Sequence, residues 1–162
     1  PSRYLLHFTN SLNTGNYTLT VIGVQDRNNN VINTNNTSSF NFVKPYEVKS
    51  NDIVINEIFA DPSPQIDLPT VEFIELWNTT THIISLKNWV YSDAGTSFIF
   101  PKDSLQGNEH LILCAKADTN EFKQYGRVLG ISTWPSLNNS GDQLSLKNEK
   151  GMIINQVIFS RI

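Results

Sequence analysis

Glu57, Glu72 and Glu75 are the side chains whose type and spacing come nearest to a reacting group. Paired carboxylates can divide acid and base work between them, or hold calcium through their oxygens. The competing reading is structural. A carboxylate at a strand end accepts hydrogen bonds from backbone or a nearby amide, and Asn56 and Asn78 stand beside Glu57 and Glu75. Asn56, Glu57, Glu75 and Asn78 are therefore read as structural, because binding needs a convergence that spacing alone does not supply. Glu72 alternates away from Glu75 and is expected to face solvent. Asp61, Asp67 and Asp93 offer a second oxygen set, of the kind extracellular modules use for low-affinity calcium. No Asp-x-Asp-x-Asp-Gly loop joins them, and turn aspartates ordinarily bond their own backbone. The expectation is no cofactor, with low-affinity calcium as the alternative.

His7, His82 and His110 are far apart, and none stands in a His-Glu-x-x-His spacing, so each is read as a packing or surface group. Cys114 ends the apolar run Leu111-Ile112-Leu113, where a thiol behaves as a small buried hydrophobe. One cysteine excludes an internal disulfide and a multi-cysteine zinc site. No Gly-x-Ser-x-Gly elbow or phosphate-binding loop occurs, so no catalytic residue is expected and the chain is not read as an enzyme. Trp77, Trp89 and Trp134 raise sugar stacking. Trp89 follows an apolar run and reads as core, and Trp77 as core or rim. Trp134, followed by Pro135 in a polar loop, is expected to be exposed, with Asn138 and Asn139 beside it as candidate binding residues.

Short apolar or alternating runs separated by turn signals must position these groups, which is the pattern of an all-β sandwich. Asn occurs 20 times and charged residues make up 17%, so the polar surface is built from amides and hydroxyls that favour turns over helix interiors. In the first part, Tyr4 to Phe8, Tyr17 to Ile22 and Phe40 to Phe42 read as strands, with Asn13 to Asn16 and Asp26 to Asn30 as turns. In the second part, strands are expected over 52–59, 71–77, 83–86, 89–91, 98–100, 111–114, 143–146 and 153–159. One short helix is expected from a cap at Asp118, with Glu121 three residues on, Phe122 and Tyr125 on one face and Gly126 as the stop.

The sign of charge changes along the chain. Residues 1–45 carry three Lys/Arg and one Asp/Glu, whereas residues 46–162 carry nine and fourteen. With Pro45 ending the last early strand, two modules are expected, 1–45 and 46–162. Forty-five residues fall short of the ~100 of a complete sandwich. The order of strand, Gly15-Asn16-Tyr17-Thr18-Leu19-Thr20-Val21, Asp26 loop and Phe40-Asn41-Phe42 resembles the C-terminal half of a bacterial Ig-like domain. Leu5, Tyr17, Leu19, Phe40 and Phe42 of such a partial meander need covering, by the second module or by another chain in a dimer.

In the second module, Ile55-Asn56-Glu57-Ile58, then Glu72 to Asn78, then Leu86-Lys87-Asn88-Trp89-Val90-Tyr91-Ser92-Asp93, resemble the bacterial lamin-tail domain. Phe100-Pro101, Leu111-Ile112-Leu113, Ser136 to Asp142, Leu144-Ser145-Leu146 and Gly151 to Asn155 agree in order, so the resemblance covers about residues 52 to 160. It implies an immunoglobulin-like β-sandwich, with Trp89 in its core. It also implies a non-catalytic role, since such domains serve bacterial surface and secreted proteins as accessory or adhesive modules.

The net charge of -3 and a pI near 5.5 argue against sequence-independent nucleic-acid binding. No apolar run approaches the ~20 residues of a membrane span. The expected function is a structural or protein-interaction module of a larger secreted or cell-surface bacterial protein, placed extracellularly, at the surface or in the periplasm. The alternatives are a carbohydrate-binding module on Trp134, Asn138 and Asn139, or an accessory domain of a secreted nuclease or phosphatase. The partner is a protein or a glycan in either binding reading.

Overall fold

Apolar alternation and Asn-rich turns divide the chain into short strands, which the computed structural model describes over residues 5–32, 34–63, 67–93 and 95–160. They form two compact units that meet between Pro45 and Tyr46. The first unit holds an antiparallel pair, β1 (Gly15–Thr20) and β2 (Thr37–Phe42), with Tyr17 stacked on Phe40 at 5.7 Å. The Asp26 carboxylate organises the loop between them, accepting from the Asn28 and Asn30 backbone N–H groups and from the Asn30 side chain. Those bonds favour its charged form, the side-chain bond most, and lower its pKa. Residues 5–8 form no strand, contrary to the expectation for Tyr4 to Phe8, and Tyr4 lies outside the described residues. Leu5, Leu6 and Phe8 are instead exposed, so their apolar run is not built into a sheet.

The second unit supplies β3 (Ile53–Phe59), β4 (Phe73–Asn78), β5 (Ile84–Ser85), β6 (Val90–Ser92), β7 (Ser97–Ile99) and β8 (Ser104–Leu105). It continues with β9 (His110–Ala115), β10 (Val128–Ile131), β11 (Gly141–Lys147) and β12 (Ile153–Ser160). One sheet has the order β10-β9-β4-β3 and the other β12-β11-β6-β7, with a small β5-β8 pair beside them. Only β10 and β9 run parallel; the other pairings of the unit are antiparallel. Inward residues of both sheets, among them Ile53, Ile74, Leu76, Leu111, Leu113, Tyr91, Leu144 and Leu146, join Trp89 and Phe100 in one core. The protein is therefore all-β, and this unit is an immunoglobulin-like sandwich. β8 and β10 have no counterpart among the strands expected from sequence. A two-residue strand carries no period, and β10 takes its order from its parallel neighbour.

Asparagine makes most of the tight turns. Of the six described non-glycine residues with positive φ, Asn29, Asn35, Asn51, Asn88 and Asn108 are five, and Asp67 is the sixth. A 3₁₀ turn (Lys116–Asp118) leads into the single helix, α1 (Thr119–Phe122), which buries Phe122. Asp118 stands at its N-cap without a side-chain capping bond.

Two features fix the strand β3. Its register with β4 shifts between Ile55 and Glu57, so Asn56 is an extra residue in the ladder. Ile55 faces the core, Asn56 and Glu57 are both exposed, and Ile58 packs inward again. At the open edge of β3 the Ile55 N–H donates to Asn155 Oδ1 of β12 at 3.0 Å. Asn155 Nδ2 donates to Asn51 Oδ1 at 2.9 Å, so one side chain ties the margins of the two sheets together.

Asn78 closes one end of β4. It is fully buried, and its Nδ2 donates to the His82 and Gln106 carbonyls at 2.8 Å and to the Leu105 carbonyl at 3.3 Å. Its Oδ1 accepts from the Thr80 N–H and hydroxyl. The turn it holds lies so close that a Cβ on Gly107 would stand 2.5 Å from the Thr81 carbonyl carbon. Truncating Asn78 strands several buried polar groups at once. We expect Asn78→Ala to lower the unfolding free energy by about 2–4 kcal/mol, against less than about 1 kcal/mol for exposed Asn56→Ala. Urea denaturation measures both, and equal losses would contradict the assigned roles.

Candidate functional site

Alternation along β4 sends Ile74, Leu76 and Asn78 into the core and Phe73, Glu75 and Trp77 to the outer face of the β10-β9-β4-β3 sheet. The neighbouring β9 places His110 opposite Trp77, Ile112 opposite Glu75 and Cys114 opposite Phe73. One half of this outer face is covered. Phe73, Ile112, Cys114 and Phe122 form a second small core, with Phe59, Leu68, Val71 and Val128 packed on it.

The other half is open. The Trp77 ring stacks on the His110 imidazole at 5.6 Å, 12° from parallel. His110 Nδ1 donates to Glu75 Oε1 at 2.8 Å, and Asn56 Nδ2 donates to the same oxygen at 2.7 Å. The His110 side chain is 46% exposed and that of Glu75 20%. The extra residue in β3 is what delivers Asn56 to Glu75 and sets Glu57 opposite it in the ladder. A carboxylate that orients an imidazole is a fragment of acid–base machinery, and covalent catalysis would need a nucleophile within its reach as well. Among the described residues, His110 makes no hydrogen bond to a serine, threonine or cysteine.

Of the residues singled out from sequence, Asn56, Glu57 and Glu75 meet on this face. Asn78 does not join them, because it points inward to the turn carbonyls. Glu75 lies in mid-strand and not at a strand end. Trp89 is buried in the core, and its Nε1 donates to Glu149 Oε2 at 3.1 Å. Glu72 corrects the expectation of a solvent-facing side chain. It precedes β4, so strand alternation does not direct it, and its Oε2 accepts from Trp134 Nε1 at 2.9 Å and the Leu137 N–H at 3.0 Å.

Trp134 is accordingly half-buried, packed on the core and stacked on Tyr91 at 6.4 Å, and is not the exposed platform expected of it. Asn138 bonds Asp142. Asn139 and Asp61 line a shallow cleft of about 300 Å³ with Ile58, Ala60, Phe159 and Ser160. Asp93 caps its own turn by accepting from the Gly95 and Thr96 N–H groups, and Asp67 is exposed in its positive-φ turn. Among the described residues, no group of three or more His, Cys, Asp or Glu side chains gathers as a metal site. His82 stacks on Tyr46 at 4.3 Å, and His7 is exposed. His110, read from sequence as a packing or surface group, and Trp77, read as core or rim, are joined here with Glu75. Only the β4–β9 register reveals that juxtaposition, and no local motif encodes it.

Two buried groups give direct checks. Burial, and secondarily the charge of Asp118, push the Cys114 thiol up to about 11. The protonated thiol therefore predominates up to that value in the folded state and only to about 8.5 in an unfolded chain. Folding should lose stability as pH climbs from about 8.5 toward 11. At pH 8 we expect native Cys114 to resist a disulfide reagent until urea unfolds the chain; rapid native labelling would contradict its burial. Tyr91 Oη is buried without a hydrogen-bond partner among the described residues, and burial first, then Asp93, Asp142 and Glu72, raise its pKa. Tyr91→Phe should leave stability unchanged or raise it by about 1–2 kcal/mol, and a large loss in thermal unfolding would show a missed bond.

Residues 47–160 match the family model of the lamin tail domain. Among curated proteins, none matches the chain. Domains of this immunoglobulin-like fold are generally non-catalytic. The match spans the whole sandwich, from the approach to β3 through the end of β12, and the chain belongs to the lamin tail domain family.

Proposed function

We propose that the lamin-tail unit is a non-catalytic protein-interaction module within a larger secreted or surface protein, and that it engages its partner through the open half of the outer sheet face. The observation that carries this reading is the Trp77–His110 stack beside Glu75, in which Trp77 is half-buried and the His110 ring exposed. Trp89, Tyr91, Phe100, Phe73 and Phe122 are buried in the two cores, whereas this pair belongs to neither core and stands on the strand scaffold of β4 and β9. Indole and imidazole combine a large apolar area with polar edges and few rotors, which suits them to interfaces. We read the first unit as the C-terminal part of an Ig-like domain, a neighbour in the same string of modules. None of the described helices is long and apolar enough to cross a membrane.

The test uses photo-crosslinking on the full-length protein in its native extract. A benzophenone is attached at Val54→Cys, on β3 opposite Trp77, or at Lys87→Cys, an exposed turn residue outside this face. We expect adducts from position 54 that disappear when Trp77→Ala is added to a variant with unchanged circular dichroism. Equal adducts from both positions, or none from position 54, would contradict the assignment.

A further inference from the structure

Resting on the interaction reading above, we propose that the open half of this face receives arginine or lysine side chains of a partner protein. The register sets Glu57 directly opposite Glu75. Like charges at facing positions of an antiparallel pair lie about 5 Å apart at Cβ and destabilise it. The ladder irregularity makes this harder to avoid, because it turns both Asn56 and Glu57 outward beside the same carboxylate.

Among the described residues of the face only His110 pairs with Glu75, and no lysine or arginine does. β3, β4 and β9 contain no lysine or arginine. His110 and Asn56 both engage Oε1 of Glu75, and among the described residues neither its Oε2 nor the Glu57 carboxylate accepts a hydrogen bond. Two carboxylates with free lone pairs therefore stand in line, with an indole one alternate position away on β4.

A guanidinium or ammonium answers each of these features. It supplies the missing charge between Glu57 and Glu75, donates to their unoccupied oxygens and is attracted by the Trp77 π-system. Residues 46–162 carry fourteen Asp/Glu against nine Lys/Arg, so the long-range field also draws a cationic segment. A neutral saccharide would gain from the ring but would leave the two carboxylates facing each other.

The experiment is a nuclear magnetic resonance titration of the whole chain, following the Trp77 indole N–H and the His110 ring. The probes are a nine-residue peptide alternating arginine and serine, its neutral counterpart with citrulline for arginine, and cellohexaose. We expect the arginine peptide to shift both side chains and the citrulline peptide and cellohexaose to leave them in place. Glu57→Gln should weaken binding about fivefold, as should raising NaCl from 0.05 to 0.3 M. Glu57 is exposed and its carboxylate has no partner, so that variant should fold even if Glu75→Gln does not. Equal binding of the citrulline peptide, an unchanged affinity in Glu57→Gln, shifts scattered over other surfaces, or shifts from cellohexaose instead would each overturn the proposal. Crosslinking from position 54 with no response to the arginine peptide would leave the interaction reading standing and remove only the cationic partner. Loss of both would remove both.

Discussion

The extra residue in β3 is the constraint on which the face and the core both depend. A strand of strict period two cannot bury Ile53, Ile55, Ile58 and Ala60 together, because the step from 55 to 58 is odd. The irregularity at Asn56 resolves the conflict by sending two consecutive residues outward against one residue of β4. Just before it, the Ile55 N–H at the free edge of the sheet donates to Asn155 Oδ1. One local departure from regular pairing thus aligns the core and assembles the polar cluster around Glu75.

Polar side chains elsewhere in the sandwich are committed to its own architecture. Asn78 holds the turns at one end, Glu72 pins the loop of Trp134, and Arg127 clamps Asp103, Glu109 and the Ser104 carbonyl. Each satisfies donors or acceptors that packing would otherwise strand. Among the described residues Glu57 accepts no such bond, although it stands directly opposite Glu75 in the ladder.

Much of the fold was legible in the residues. The apolar runs of β3, β4, β9, β11 and β12 place their strands, and the lamin-tail motifs in order name the sandwich. What escaped was set by pairing across sequence distance. Trp134 looked exposed from its polar neighbours, yet its indole N–H is fixed by Glu72, 62 residues away. Glu57 and Glu75 were visible as a pair, but His110 entered only through the register of β9, 35 residues from Glu75. The run from Leu5 to Phe8 had strand composition, yet it joins neither free edge of the β1–β2 pair. Local period reports which face a residue takes, whereas the identity of its neighbour belongs to topology.

The most direct measurement compares urea unfolding of two single-residue deletions, of Asn56 and of Glu75. Removing Asn56 restores strict alternation, so the core residues of β3 keep their face. The expected result is a cooperative transition with about 1–2 kcal/mol lost with the bonds of that site. Removing Glu75 from the central strand throws half of β4 onto the wrong face, and no cooperative transition is expected. Equal disruption by the two deletions, or tolerance of the second, would contradict the role given to the β3 irregularity.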